Sequence, residues 1–376
     1  MTASRTTRAL VLRKYDGTLE LETLNVTAPG PKEVLVEMHA SGICHTDLTC
    51  MKEGFPVPYI LGHEGAGTIL EVGSDLTSKF SPGESVLLTF NHCGACTACS
   101  SAHPAYCQNF IPYNMGGRRL TDGTFFYNTQ DSTDPSHVLG GFFGQSSFAS
   151  HAIVQENSLI KVPKDTNLAL LAPLGCGIQT GAGCVINTLA VKKGSSIAIF
   201  GAGAVGLSAL IAAKNVSASP IIAVDLVESR LDLAQELGAT HVFKGDDKNL
   251  AEEIRKLTAM TGGVQYGIDA TGVVPVIELM IDVLGILGKA ATVGVTGRDK
   301  KVAVDATSLM SQGKSYVGCT EGDSNPPEFI PYLASEIAAG RFPIKKLVKT
   351  YPVAEYQTAL ADMRSGKTLK PVLLWK

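Results

Sequence analysis

The sequence predicts an α/β protein in which a β-rich domain is joined to a doubly wound, parallel-sheet domain. Three observations carry this. Short apolar or alternating runs punctuated by Gly and Pro fill the first ninety residues. After Thr166, strand-like and helix-like segments alternate. A glycine loop then closes the first strand of that alternation.

At roughly 150 residues per domain, 376 residues make two or three domains, with core enough for a stable enzyme. Hydrophobic residues are 45% and charged residues 18%, the balance of a globular chain. The 39 glycines exceed the usual share and point to many tight turns. A net charge of −3 offers no basic face for a phosphate backbone or an anionic membrane, so no nucleic-acid or membrane partner is expected. The first seventeen residues hold no apolar core of signal-peptide length. Nine cysteines without such a leader suit a reducing, cytoplasmic compartment, where clustered thiols bind metal or do chemistry before they form disulfides. Two uncharged stretches, 166–191 and 194–213, are broken by Pro173 and by glycines, and read as buried α/β segments.

Along the chain, Ala9–Leu12 and Glu33–Met38 are strand-length runs separated by Pro29-Gly30-Pro31. Gly67–Val72 ends at Gly73, and Ser85–Thr89 follows the turn Ser81-Pro82-Gly83. The polar, cysteine-bearing segment from Cys93 to Ser136 lacks periodicity and reads as a lobe or long loops. Strands are then expected at Ser196–Phe200, Ile221–Asp225, Tyr266–Asp269 and Ala290–Gly294, with helices near Val205–Lys214 and Ser229–Leu237. Beyond Asn325-Pro326-Pro327 comes a helical stretch and a last apolar run, Val372–Leu374.

Phe200-Gly201-Ala202-Gly203-Ala204-Val205-Gly206 is a G-x-G-x-x-G loop directly after an apolar strand. Gly201 allows the sharp turn, Gly203 lets a pyrophosphate approach the backbone, and Gly206 lets helix and strand pack closely. Asp225 follows 24 residues after Gly201, at the end of the next strand, where a carboxylate accepts from an adenosine ribose and repels a 2′-phosphate. NAD is therefore expected over NADP, with Arg230 near the same ribose.

Cys93, Cys96, Cys99 and Cys107 are spaced by three, three and eight residues. Four thiolates leave no open position, so the set reads as a structural zinc stapling the lobe at 91–112, with a ferredoxin-type cluster as the alternative that spacing leaves open. Cys44, His63 and Cys176 lie in separate Gly-rich segments. A Cys₂His set with its fourth position open is a known catalytic zinc arrangement, and spacing does not decide whether the three converge.

Gly42-Ile-Cys-His-Thr-Asp47, Gly62-His-Glu-Gly-Ala-Gly67, the Cys93–Cys99 knuckle, Pro173-Leu-Gly-Cys-Gly-Ile-Gln-Thr-Gly181 and the glycine loop stand in the order found in zinc-dependent medium-chain alcohol dehydrogenases, which the chain resembles over its whole length. The run Phe142-Phe-Gly-Gln-Ser-Ser-Phe148 is most similar to the aryl-alcohol (benzyl-alcohol) branch. The resemblance implies a GroES-like catalytic domain at 1–177 and 321–376, with a Rossmann-type NAD domain at 178–320 and the catalytic zinc in the cleft between them. It assigns Cys44, His63 and Cys176 to a catalytic zinc, with Glu64 close to the metal, and the four clustered cysteines to a second, structural zinc. Asp47 would orient the ligand histidine. His45 and Lys370 would contact the cofactor pyrophosphate, Thr180 and Val205 would pack on the nicotinamide, and Val293 and Val295 would pass its carboxamide.

Thr46 matches the hydroxyl that receives the alcohol proton, after which hydride passes to the nicotinamide. Thr49 stands where several family members carry a relay histidine, so the onward proton path departs from theirs. Phe55, Phe90, Phe142 and Phe143 fall at or near channel-lining positions, and aromatic walls suit an aromatic or apolar alcohol. The expected activity is interconversion of such a primary alcohol and its aldehyde by a homodimer or homotetramer. The alternatives are a glutathione adduct or polyol as substrate, or a non-catalytic NAD-binding relative.

Overall fold

The computed structural model describes residues 5–52, 56–130, 137–297 and 299–376. It divides into two compact units, one of residues 1–176, 325–335 and 344–376, the other of residues 177–324 and 336–343. The sequence gives no reason to separate 336–343 from the rest of the C-terminal segment.

The first unit is built on two sheets. One runs, in spatial order, Tyr59–Ile60, Arg5–Leu12, Glu20–Val26, Tyr127–Thr129 and His137–Val138. The other runs Leu159–Val162, Ser85–Leu88, Glu64–Val72, Glu33–Gly42, Lys370–Leu374 and Val348–Pro352. Its central strand, Glu33–Gly42, pairs with His151–Gln155 along its first half and with Lys370–Leu374 at its end. Residues alternate faces along such strands, and Leu10, Leu12, Leu24, Leu35 and Ile153 share one apolar core, while Val34, Val36, Met38, Ile69 and Val86 share another. Buried apolar area of this kind contributes about 25 cal/mol per Å², which holds the two sheets in register. The polar lobe from Cys93 onward forms short helices at Thr97–Ser100, Pro104–Tyr106 and Phe110–Met115.

The second unit is a six-stranded parallel sheet in the order His241–Lys244, Ile221–Asp225, Ile197–Phe200, Val264–Asp269, Leu284–Thr292 and Ser315–Gly318. Chain order reverses between Ile197–Phe200 and Val264–Asp269, which makes the ends of those strands the topological switch point where dinucleotides bind. Ile197–Phe200 is apolar and wholly buried, and Val264–Asp269 is buried at Val264 and from Gly267 to Asp269, because crossover helices cover the two sheet faces. Ala204–Asn215, the first of these helices, has every residue from Gly206 to Ala213 buried.

Among the described residues no single helix is long and apolar enough to cross a membrane. The uncharged stretch after Thr166 is instead cut into short helices at Leu168–Leu171, Ala172–Gly175 and Gly177–Gly183.

Candidate active site

In the first unit, two neighbouring strands have their ends at one place. Gly42 closes the central strand and leads into Cys44, while His63 immediately precedes the strand opened by Glu64, and Gly42 pairs with Glu64 across the ladder. Cys176 follows the short turn Ala172–Gly175, whose Gly175 carbonyl accepts a 2.8 Å hydrogen bond from Thr89 Oγ1. A side chain at Gly175 would stand 2.0 Å from the Leu88 carbonyl, so only glycine lets this turn approach the sheet. The Cys44 and Cys176 sulfurs, a His63 ring nitrogen and a Glu64 carboxylate oxygen all lie within 4.8 Å of one another. The two sulfurs are 4.0 Å apart.

Asp47 holds this set together. Its Oδ2 accepts from the Cys44 amide at 2.8 Å, and its Oδ1 accepts from the Gly62 amide at 3.2 Å and lies 3.0 Å from His63 Nδ1. With Nδ1 taken, His63 Nε2 is left buried and without a hydrogen-bond partner among the described residues. A buried polar nitrogen of that kind is costly unless something ligates it. Two thiols and this nitrogen are the donor set of a catalytic zinc site, with tetrahedral sulfurs expected about 3.8 Å apart for Zn–S bonds of about 2.3 Å. The set fits zinc.

The charges agree. The neighbouring Cys176 sulfur holds the Cys44 thiol well below its ordinary range; burial opposes this, and the Lys370 ammonium and His63 add to it. Burial disfavours a charged His63, yet Asp47 and Cys44 outweigh it and raise the imidazole well above its usual value. Thr46 Oγ1 is 3.8 Å from Cys44 Sγ, within the same short helix that carries Asp47.

The lobe forms a second set. The sulfurs of Cys93, Cys96, Cys99 and Cys107 also lie within 4.8 Å of one another, with Cys96 to Cys99 at 3.5 Å and Cys93 to Cys99 at 3.9 Å. Backbone amides of Cys93 and Asn109 point at Cys107 Sγ, and that of Cys96 at Cys93 Sγ, from 3.3 to 3.4 Å. Amides of the knuckle, Ala95 foremost, bring the Cys93 thiol down to about 6, while burial pushes Cys99 up to about 12. Four sulfurs so close cannot all be thiolates without a cation between them, and four protein donors leave no room for substrate.

In the second unit the glycine loop has the geometry its sequence implies. Gly201 sits at φ +97°, a Cβ at Gly206 would be 1.7 Å from the Gly201 carbonyl, and the space around Gly203 is open. Gly203 caps the helix Ala204–Asn215, so the helix N-terminus faces that opening. Asp225 Oδ2 accepts from the Ala202 amide at 2.6 Å and Oδ1 from the Val227 amide at 2.9 Å, fixing the carboxylate beside the loop. Arg230 lies 3.7 Å from Asp225, and its Nε is buried without a partner among the described residues. The helix carrying Thr180 packs on the loop's own helix, where a Cβ at Gly181 would meet the Val205 carbonyl at 2.0 Å. These residues fit a dinucleotide.

Residues 30–164 match the alcohol dehydrogenase GroES-like domain, and residues 204–338 match the zinc-binding dehydrogenase domain. Geraniol dehydrogenase of Castellaniella defragrans is 40% identical over 372 residues, 98% of this chain and 97% of that protein. The chain belongs to the zinc-dependent alcohol dehydrogenases. Benzyl alcohol dehydrogenase of Acinetobacter calcoaceticus is 42% identical, with a TM-score of 0.93 over 98% of this chain and 99% of that one. An alcohol dehydrogenase zinc-binding domain protein from Burkholderia ambifaria is 45% identical, with a TM-score of 0.94 over 99% of both.

Within this alcohol dehydrogenase, Lys370 is 2% exposed, and its Nζ donates to Glu64 Oε1 at 2.8 Å, Glu64 Oε2 at 3.0 Å and the Ile43 carbonyl at 3.1 Å. An ammonium has three N–H donors, and all three are used inward. Phe90 and Phe142 have no exposed surface, so neither presents a wall to an open channel. Phe90 packs in the core against Phe110 and His92. Phe142 meets the His63 ring edge-on at 5.5 Å, and Phe143 stacks on it at 4.5 Å. Both rings therefore brace His63. Gly141 and Gly144, each at φ +70°, make the turn that places them there. Phe55 lies outside the described residues. His45 is exposed, Val293 is partly buried and Val295 is 75% exposed. Thr49 donates its hydroxyl to the His45 carbonyl at 3.1 Å.

Sequence reasoning missed several residues that position this alcohol dehydrogenase's site. Gln145 is fully buried; its Nε2 donates to the His63 and Thr89 carbonyls at 2.9 and 3.1 Å, and its Oε1 accepts from the Gly65 amide. It clamps both sides of the histidine. Three polar residues between the aromatics of the 142–148 run were the available signal. In the second unit Asp269, fully buried, accepts from Thr271 N and Oγ1 at 2.9 and 2.6 Å and from Gly272 N at 3.2 Å, shaping the opposite wall of the switch point. A carboxylate ending an apolar strand before Ala270-Thr271-Gly272 was its signal.

Proposed function

We propose that this alcohol dehydrogenase interconverts a primary, aromatic or otherwise apolar alcohol and its aldehyde, with NAD as hydride acceptor and two zinc ions per chain. The observation that carries the reading is the convergence of Cys44, His63 and Cys176 beside Thr46, with His63 Nε2 left without a partner. Zinc and nicotinamide would supply Lewis acidity toward an alcohol oxygen and a place for the hydride. Cys44, His63 and Cys176 would hold the one, and Gly201, Gly203, Gly206 and Asp225 the other. Asp47 keeps the imidazole oriented, and Phe142 and Phe143 keep water away from its faces. Thr46 stands to take the alcohol's proton at Oγ1. Thr49, an exposed hydroxyl already donating to backbone, is no base, so the proton leaves by solvent or the cofactor ribose.

The four-cysteine lobe would hold the second zinc as a staple. Asp225 beside the loop favours NAD over NADP, because a 2′-phosphate would meet its carboxylate. Aromatic rings around His63, and likeness to dehydrogenases named for benzyl alcohol and geraniol, favour an apolar substrate over a polyol or an anionic glutathione adduct. A cytoplasmic homodimer or homotetramer with no nucleic-acid or membrane partner completes the reading.

The test is reduced-nicotinamide formation, NADH from NAD or NADPH from NADP, with benzyl alcohol, sorbitol and S-hydroxymethylglutathione. Benzyl alcohol with NAD should exceed the others in kcat/KM by about tenfold or more. Preference for the polyol or the adduct would overturn the substrate assignment and leave the family untouched.

A further inference from the structure

We propose that Gly42 and Lys370 form a berth that holds the Glu64 carboxylate out of metal coordination, keeping open the fourth position beside Cys44, His63 and Cys176. Lys370 is then a positioning residue. This rests on the zinc reading above.

The berth is built across three adjacent strands, Glu64–Val72, Glu33–Gly42 and Lys370–Leu374. Gly42 lies in the middle one, paired with Glu64 on one side and with Val372 on the other. A Cβ at Gly42 would be 2.1 Å from Glu64 Oε2, so the carboxylate crosses the middle strand through the space that glycine leaves. Beyond it the Lys370 ammonium binds both carboxylate oxygens, at 2.8 and 3.0 Å. Glu64 is fully buried and Lys370 is 2% exposed, so each is the other's countercharge in a place without water.

The same carboxylate lies within 4.8 Å of both ligand sulfurs and a His63 nitrogen. It therefore stands between two cations, the ammonium and any metal in the three-donor set. If the ammonium holds it, the set has three protein donors and an open position; if the metal takes it, four protein donors close the site. Asp47, the other buried carboxylate here, is engaged by the Cys44 and Gly62 amides and His63, and does not compete for Lys370. The geometry thus gives the lysine a task that a pyrophosphate contact would not: it fixes how many protein ligands the metal has.

The test uses the full-length holoenzyme with cobalt(II) in place of zinc and imidazole as a probe of the open position. A four-thiolate lobe is closed and does not respond, so imidazole-sensitive d–d bands report the three-donor set alone. K370M keeps the volume and removes the charge; G42A keeps the charge and fills the berth. In both, the bands should move before imidazole is added, and imidazole affinity should fall by about tenfold or more, the usual size of an outer-shell effect. K370R should stay close to wild type, and E64Q combined with K370M should restore imidazole binding. If K370M fails to fold, G42A carries the test. Wild-type spectra and wild-type imidazole affinity in a folded K370M or G42A would overturn the proposal. A wild-type protein that takes up no metal outside the lobe would overturn the zinc reading itself, a result visible before any variant is made.

Discussion

Asp47 fixes two ligand segments with one carboxylate, because its oxygens accept from the Cys44 amide at 2.8 Å and the Gly62 amide at 3.2 Å while one of them also faces His63 Nδ1. Asp47→Asn keeps the shape and one acceptor but loses the charge that raises the imidazole. We expect zinc at the three-donor site to be held about 10 to 100 times more weakly, measured by competition with a chelator, with the lobe's zinc unaffected. Unchanged affinity would mean that the carboxylate does not orient the histidine. At this scale Cys44, His63 and Cys176 stood out as candidates because each lies in a short Gly-rich segment, while Asp47 was singled out only by the family resemblance of Gly42–Asp47. The burial of Lys370 against Glu64 was not legible, since a lysine opening a short apolar strand can end in solvent or fold back inward. The glycine at 42, on the neighbouring strand and paired with Val372, makes room for the lysine's partner.

At the scale of the element, the glycine loop offers a contrast between two substitutions. Gly206→Ala would drive a methyl to within 1.7 Å of the Gly201 carbonyl, so strand and helix must separate, at about 1–3 kcal/mol of stability for overpacking. Gly203→Ala meets nothing within 4 Å and has an ordinary φ of −76°, so the protein should keep its melting temperature. It should nonetheless lose NAD affinity, because the methyl occupies the space a pyrophosphate needs. Thermal melts and NAD titrations of the two variants check this; a Gly203→Ala protein that binds NAD like wild type would remove the loop from the cofactor site. The loop's strand–turn–helix was legible because an apolar run, three glycines and an acid stand at fixed spacing, and Ile221–Asp225 is a strand at its expected ends. Other crossover helices were not located. Val274–Asp282 is apolar on most sides, with Pro275 in its first turn, so no single face stands out. Ala306–Gln312 buries no residue at all and leaves no apolar stripe to read. The lobe's short helices escaped for another reason: their cysteines and amides, not an apolar face, hold them in place.

For the whole molecule, a β-rich domain and a parallel-sheet domain were both legible, the first from Gly/Pro punctuation and the second from alternation after Thr166. The GroES-like character of the first was implied only by the family resemblance. Convergence of Cys44, His63 and Cys176 was not legible, because ladder pairing, which joins residue 42 to 64 and residue 42 to 372, is a long-range property that local pattern does not encode. The same is true of the brace that Phe142 and Phe143 place on His63. The proposed chemistry needs two separate metal sites, one closed and one open. The most direct measurement is zinc content and NADH formation with benzyl alcohol on the same preparations of wild type and His63→Ala. Two zinc ions and turnover are expected in the wild type, and one zinc with turnover lost in the variant. Two zinc ions retained by a folded His63→Ala protein, or a single zinc in the wild type, would contradict that expectation.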